Sequence, residues 1–130
     1  MGGILFLFFL CAVCMTPPVF SGQLVELTTN GIRILCEPSL KVAAAEMGTA
    51  YPFLKEKVET IFGWKLKGVP TLILLGKGSS FERMAGSPYV IAFAVPDKNL
   101  MVMDWSRLKG DRIHAQDVLK HELCHLLIHQ

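Results

Sequence analysis

The chain has 130 residues, of which 52% are hydrophobic and 18% are charged, and 13 basic against 11 acidic residues give it a net charge of +2. This length supports one compact domain and is too short for two ordinary ones. No basic cluster is dense enough to follow a nucleic-acid backbone or to hold an anionic membrane surface, so the charge pattern argues against both kinds of partner.

The N-terminal segment is strongly apolar. Residues 4–15 carry no charged side chain and are soon followed by Pro17 and Pro18. A membrane-spanning helix needs about 20 apolar residues, so this shorter run favours the core of a signal peptide over residues 1–21, cleaved after Ser21. We expect an extracytoplasmic protein, either secreted or in the cell envelope. Because no Lys or Arg precedes the run, an uncleaved membrane anchor is the alternative.

Cleavage would leave two cysteines, Cys36 and Cys124, in the mature chain. This number permits one disulfide in an oxidising compartment and equally permits two buried thiols. We favour buried thiols, and the sequence leaves the pairing open.

The first elements of the mature chain are a strand and a long helix. After an Asn-Gly turn pair, apolar and polar residues alternate over residues 32–36, which predicts a short strand. Apolar residues then recur mostly at helical spacing over residues 40–62, and Gly63 follows. Gly48 and Pro52 interrupt this pattern and predict a weak place or a kink.

The middle of the chain predicts three strands. Residues 69–75 form an apolar run flanked by glycines, which is typical of a strand buried on both faces at the centre of a sheet. The loop at residues 76–80 lacks the ending of a phosphate-binding loop, so we predict a flexible turn. Residues 89–95 and 100–103 flank a four-residue turn and predict a hairpin.

The last element is a helix that begins near Asp111, a plausible N-cap, and continues to the end of the chain. One stripe of this helix is apolar and consists of Leu119, Leu123, Leu126 and Leu127. The order β-α-β-β-β-α predicts an α+β fold with a mixed sheet packed against the long helix.

Two histidines four residues apart, His121 and His125, lie on this final helix. Their spacing puts both imidazoles on one face about 6 Å apart along the axis, where they can bind a single ion. Glu122 is displaced by about 100° and one residue, so its carboxylate can reach a water on the ion instead of the ion itself. We predict His121 and His125 as metal ligands and Glu122 as the general base.

Zinc is the metal that this arrangement favours, although imidazoles also bind other divalent ions. Zn²⁺ lowers the pKa of a bound water towards about 7 and polarises a carbonyl, and the carboxylate accepts the proton. Hydrolysis of a peptide bond is the expected reaction. The alternative is a surface helix with solvated His and Glu side chains, and the leucine stripe on the opposite face argues against it.

Residues 118–127, Val-Leu-Lys-His-Glu-Leu-Cys-His-Leu-Leu, resemble the extended HExxH signature of the zincin superfamily. The order of elements is similar to that of the peptidase MA-like family of gluzincins and covers most of residues 31–129. The resemblance implies that residues 22–130 form the N-terminal half of a zincin domain acting on a peptide or protein. It also implies that residues 89–95 or residues 100–103 pair with an extended substrate.

The resemblance also implies a third zinc ligand, a Glu on a helix downstream of the motif, and we expect the domain to be C-terminally incomplete at Gln130. His129 and His114 lie too far along the axis of a regular helix to replace that ligand. The alternative to a peptidase is therefore a non-catalytic extracytoplasmic binding module that keeps the same helix.

Overall fold

The computed structural model describes residues 22–76, 81–108 and 112–130, and it describes the side chains of the last range from His114 onward. The predicted signal peptide, most of the loop at residues 76–80 and the predicted N-cap at Asp111 lie outside these residues. In the described ranges no helix combines the length and the apolar character needed to cross a membrane.

The described residues form an α+β fold built on one mixed sheet of five strands. The strands are β1 (Val25–Thr29), β2 (Ile32–Cys36), β3 (Thr71–Leu75), β4 (Ala92–Val95) and β5 (Leu100–Asp104). The helices are α1 (Lys41–Phe62), α2 (Phe81–Ala85), α3 (Trp105–Leu108) and α4 (Arg112–Ile128). Short 3-10 turns at Pro38–Leu40 and Pro96–Lys98 precede α1 and β5.

The strand order is β1-β2-β3-β5-β4, so β3 is central, as its apolar sequence predicts. β1 and β2 form an antiparallel hairpin whose turn residues, Asn30 and Gly31, both have positive φ angles. β2, α1 and β3 make a parallel crossover, and β5 adds parallel to β3. β4 pairs antiparallel with β5 and therefore lies at the edge of the sheet.

The main core lies between the sheet and one layer of helices, α1 and α4. α1 packs on β1 and β2, and α4 packs on β4 and β5 at the other end of the sheet. The largest fully buried side chains of this core are Tyr51, Ile32, Ile34, Met47, Leu72, Leu74, Met101, Met103, Leu108 and Leu119. A smaller cluster on the opposite face of the sheet is centred on Leu75, Phe81 and Val102.

Helix α1 continues through Gly48 and Pro52 because the β1–β2 hairpin packs against it there. Pro52 has no N–H group for the carbonyl of Gly48, four residues earlier, and the side-chain amide of Asn30 donates to that oxygen at 3.1 Å instead. A Cβ on Gly48 would lie 2.5 Å from the side chain of Thr29. The glycine and the proline thus form the docking place for the hairpin turn.

The C-terminal ends of α1 and α4 meet at the loop between α1 and β3. Gly63 caps α1 in the left-handed conformation. The side chain of Gln130 accepts a hydrogen bond from the N–H of Lys67 and donates one to the carbonyl of Lys65, both at 2.8 Å. The side chain of Asn99, beside β5, donates to the carbonyl of Lys67. These bonds place the end of α4 beside the turn between β4 and β5, so α4 runs in the same direction as β4.

The predicted strands and long helices are present, with shifted ends, and the predicted order omits three elements. It misses β1 and the two short helices α2 and α3. The predicted strand over residues 89–95 begins only at Ala92, because residues 86–91 form turns and bends. Cys36 and Cys124 are free thiols, the first buried and the second partly buried.

Candidate metal centre

Helix α4 brings the two predicted metal ligands together. The Nε2 atoms of His121 and His125 lie 3.0 Å apart, and their ring centroids are 4.8 Å apart with the planes at 75°. Both rings are exposed to solvent. This distance permits one ring N–H to donate to the other ring nitrogen, so the two imidazoles converge.

The pair has the spacing that a zinc ion requires. Two nitrogens at about 2.05 Å from a tetrahedral zinc lie about 3.3 Å from each other, which is slightly more than the 3.0 Å between the two Nε2 atoms. A small rotation of either side chain would therefore accommodate the ion. Imidazole nitrogen is also a preferred donor for zinc, so the two residues fit this metal in both geometry and chemistry.

The packing of α4 decides which side chains stay accessible. The leucines of the apolar stripe are all at most 2% exposed, and Ala115 completes the buried face. This burial fixes the rotation of the helix, because turning it would expose the leucines to water. At about 100° per residue, the histidines then lie on the side of the helix opposite the leucines, where both are exposed.

The side of α4 that carries the histidines faces away from α1. Gln116 and Lys120 line grooves between α4 and α1, so they mark the side of α4 that faces α1. His121 and His125 lie about 100° to 180° around the axis from these residues. The pair is therefore exposed to solvent on a side of α4 that is turned away from α1. Strand β4, the edge strand of the sheet, lies on the end of the sheet that α4 covers.

Strand β4 offers free backbone groups on that edge. The N–H of Asp104 donates to the carbonyl of Ile91 at 2.9 Å, and Phe93 is paired two residues further along. Since bonded and non-bonded pairs alternate in an antiparallel ladder, Ala92 and Ala94 direct their N–H and C=O groups to the open side. In the described part of the chain no further strand covers them. Their methyl groups pack against the core beneath α4.

Glu122 lies on the buried side of the histidine pair, and it is only 5% exposed. Burial raises the pKa of this carboxyl above its ordinary value, and the neighbouring His121 partly opposes the effect. A carboxyl whose pKa is raised towards neutrality is better suited to accept and return a proton. Residue and environment thus agree with the predicted base, whose catalytic role stays a prediction.

The charge state of His125 also suits a metal ligand. Its pKa is lowered by partial desolvation against the helix and by the nearby imidazoles of His121 and His129, so the neutral form that binds metal is favoured. The ring of His129 stacks on that of His125 with centroids 6.3 Å apart. His129 and His114 are exposed, as we expect from their positions along the helix. Burial raises the pKa of the Cys124 thiol and keeps it protonated.

A third ligand is not found in the ranges that the structure describes. There, no group of three or more His, Cys, Asp or Glu side chains converges in a way that could hold a metal ion. The two alanines of β4 fall within residues 89–95, one of the two ranges that were predicted to pair with a substrate. The alternation of these alanines with Phe93 could have predicted that α4 packs on this strand, since small residues at every second position let a helix approach a strand closely.

Comparisons of the chain with protein-family models, with curated proteins and with solved structures found no match. The resemblance to gluzincins is carried by the motif on α4 and by the order of elements, and it stays a prediction. The functional assignment therefore depends on the geometry of α4 and β4.

Proposed function

We propose that this protein is a zinc-dependent peptidase of the zincin type that acts outside the cytoplasm. The observation that carries the proposal is the convergence of His121 and His125 at 3.0 Å beside the buried carboxyl of Glu122. A catalytic zinc has three protein ligands and a water, and this set would supply two of those ligands and the general base. The domain would be the N-terminal half of a zincin.

The three side chains have separate tasks in this proposal. His121 and His125 would hold the ion through their imidazole nitrogens, and a bound zinc would supply Lewis-acid chemistry for the peptide carbonyl and for a water. Glu122 accepts the proton of that water and returns it to the departing amine. Its low exposure keeps bulk water from competing for the proton, so the raised pKa serves the reaction.

The peptide would bind along β4. Ala92 and Ala94 present two N–H and two C=O groups to an extended chain, which would add to the sheet as a sixth strand. The sequence predicted that either of the two hairpin strands, β4 or β5, could pair with a substrate. β4 is favoured because it lies at the edge of the sheet, whereas β5 lies between β3 and β4. Backbone pairing implies broad sequence tolerance, because it does not depend on the side chains of the peptide.

A second candidate is a non-catalytic module that binds metal or a partner through the same helix. The absence of a third converging ligand among the described residues favours this alternative. The two proposals share the histidine pair and differ in whether Glu122 transfers a proton.

Metal content and peptide hydrolysis decide between them. We would measure bound zinc by mass spectrometry, and hydrolysis with a mixture of fluorogenic peptides, for the wild type, Glu122→Gln and the exposed control Glu56→Gln. The peptidase proposal expects Glu122→Gln to keep its zinc and to lose activity by about 1,000-fold or more. Glu56→Gln should behave as the wild type. Zinc-loaded wild type that cleaves no peptide would support the binding module instead.

A further inference from the structure

Arg107 on α3 binds four acceptors around the beginning of β4. Its guanidinium donates to the carbonyls of Pro88 and Val90, the second at 3.3 Å. It also donates to Glu82 on α2 at 2.8 Å and lies 3.3 Å from the carboxylate of Asp104. Arginine suits this task because its planar fork carries five donors, whereas lysine has three on a single atom.

The carbonyls that Arg107 holds belong to the segment that leads into the edge strand. Residues 88–91 precede β4 directly, and the only regular sheet bond described for them joins Ile91 to Asp104. Asp104 is itself fixed, since its side chain accepts hydrogen bonds from the N–H and the hydroxyl of Ser106. Arg107 therefore connects the segment to a rigid corner of the fold, formed by the end of β5 and the start of α3.

Between the two bound carbonyls lies Tyr89, whose side chain is 91% exposed. Its backbone N–H donates to the hydroxyl of Ser87, so the main chain at this residue is held from both sides. A tyrosine ring on a fixed backbone offers a large contact surface at low entropic cost. The segment leads directly into Ala92, the first residue of the edge strand.

We propose that Arg107 is a positioning residue that fixes residues 88–91, so that the edge of β4 and the ring of Tyr89 are aligned to receive a peptide. This inference rests on the proposed function, because it assigns a task to the edge strand of that same site. Arg107 does not touch the histidine pair in this scheme. It is expected to affect peptide binding and not the chemical step.

The first test does not require activity. Hydrogen–deuterium exchange is compared for the wild type, Arg107→Lys and the matched control Arg33→Lys. Arg33 also binds a carboxylate with two nitrogens, at 2.9 and 3.2 Å from Glu26, but it lies at the other end of the sheet. We expect Arg107→Lys to speed exchange about tenfold at the sheet-bonded amides of Phe93 and Asp104, with β2 and β3 unchanged. Exchange that is unchanged, or faster throughout the chain, would overturn the inference.

The second test separates binding from chemistry. With zinc-loaded protein and a fluorogenic peptide of about ten residues, Arg107→Lys and Tyr89→Ala should each raise KM about fivefold and leave kcat within about twofold. Arg33→Lys should change neither constant. A loss in kcat at constant KM would contradict a positioning role. If the wild type cleaves no peptide, the proposed function fails, and the exchange experiment alone decides whether Arg107 fixes the strand.

Discussion

Glu122 holds an ionisable group where water has little access. Because its folded-state pKa is raised above 4.5, the folded chain binds the proton more tightly than the unfolded chain does. Stability from this group is therefore fully present at low pH and is lost as the pH rises through the folded pKa. Ionisation of this buried carboxyl therefore lowers the free energy of unfolding.

We therefore predict that Glu122→Gln stabilises the metal-free protein at pH 7 by on the order of 1 kcal/mol, because a neutral amide of the same shape avoids the buried charge. At pH 4 the difference should nearly disappear. Urea unfolding at both pH values in the presence of a chelator measures it. A variant that is less stable than the wild type at pH 7 would show that the carboxylate has favourable partners.

Tyr51 is also a buried ionisable side chain, but unlike Glu122 it stays neutral at ordinary pH because its pKa is high. Its side chain is 1% exposed, its hydroxyl has no hydrogen-bond partner among the described residues, and burial raises its pKa to about 12. We expect Tyr51→Phe to leave stability unchanged or to raise it by up to about 1 kcal/mol, because no bond is lost and a desolvation cost is removed. Thermal unfolding would show this, and a loss above about 1 kcal/mol would reveal a partner for the hydroxyl.

At the scale of elements, one side-chain hydrogen bond contributes to the docking of the β1–β2 hairpin on α1. We predict that Asn30→Asp costs about 1 to 2 kcal/mol, since the carbonyl of Gly48 loses its donor and meets a carboxylate. Aspartate tolerates the left-handed conformation of the turn, so backbone strain does not confuse the result.

A double-mutant cycle isolates this effect. Pro52→Ala restores the backbone N–H that the carbonyl of Gly48 lacks, so Asn30→Asp should cost less than half as much in that background. Chemical denaturation of the four proteins supplies the cycle. Equal costs in both backgrounds would mean that the amide of Asn30 does not replace the missing helix bond.

The end of α1 is fixed by Glu59, which accepts hydrogen bonds from the N–H of Leu66 at 2.9 Å and from Lys65 at 3.1 Å. The bond from Leu66 is the main cause that lowers the pKa of Glu59 below 4.5. Its contribution is thus present above pH 4.5 and is lost as the pH falls through the folded pKa.

We expect Glu59→Gln to reduce the free energy of unfolding at pH 7 by about 1 to 2 kcal/mol, because a charged acceptor is replaced by a neutral one. The reduction should shrink below pH 4. Glu56→Gln, one turn earlier and exposed, is the control and should change stability by less than about 0.5 kcal/mol. If both variants lose the same stability, the partners of Glu59 are unimportant.

The sequence predicted the long elements and missed the short ones for physical reasons. α1 and β3 have apolar patterns long enough to identify, whereas α2 and α3 have five and four residues, hardly more than one turn each. β1 could have been predicted from the sequence, since Val25, Leu27 and Thr29 alternate with more polar residues and the Asn-Gly turn follows. A hairpin turn requires a strand on both of its sides.

At the scale of the whole molecule, the histidine pair followed from spacing alone, but its surroundings did not. The helical period puts His121 and His125 on one face wherever the helix lies. The position of β4 at the edge depends on β5 entering the sheet beside β3, which is a choice of topology that no local pattern encodes. The contacts of Arg107 join residues up to 25 positions apart and follow only from the fold.

Zinc titration by calorimetry tests most directly whether the imidazoles of His121 and His125 bind one zinc ion together. We predict one zinc per chain for the wild type, affinity lower by about 100-fold in His121→Ala and in His125→Ala, and wild-type affinity in His114→Ala and His129→Ala. Those last two variants remove histidines of the same helix that lie outside the pair. A wild type that binds no zinc, or four variants that bind it equally well, would contradict the account.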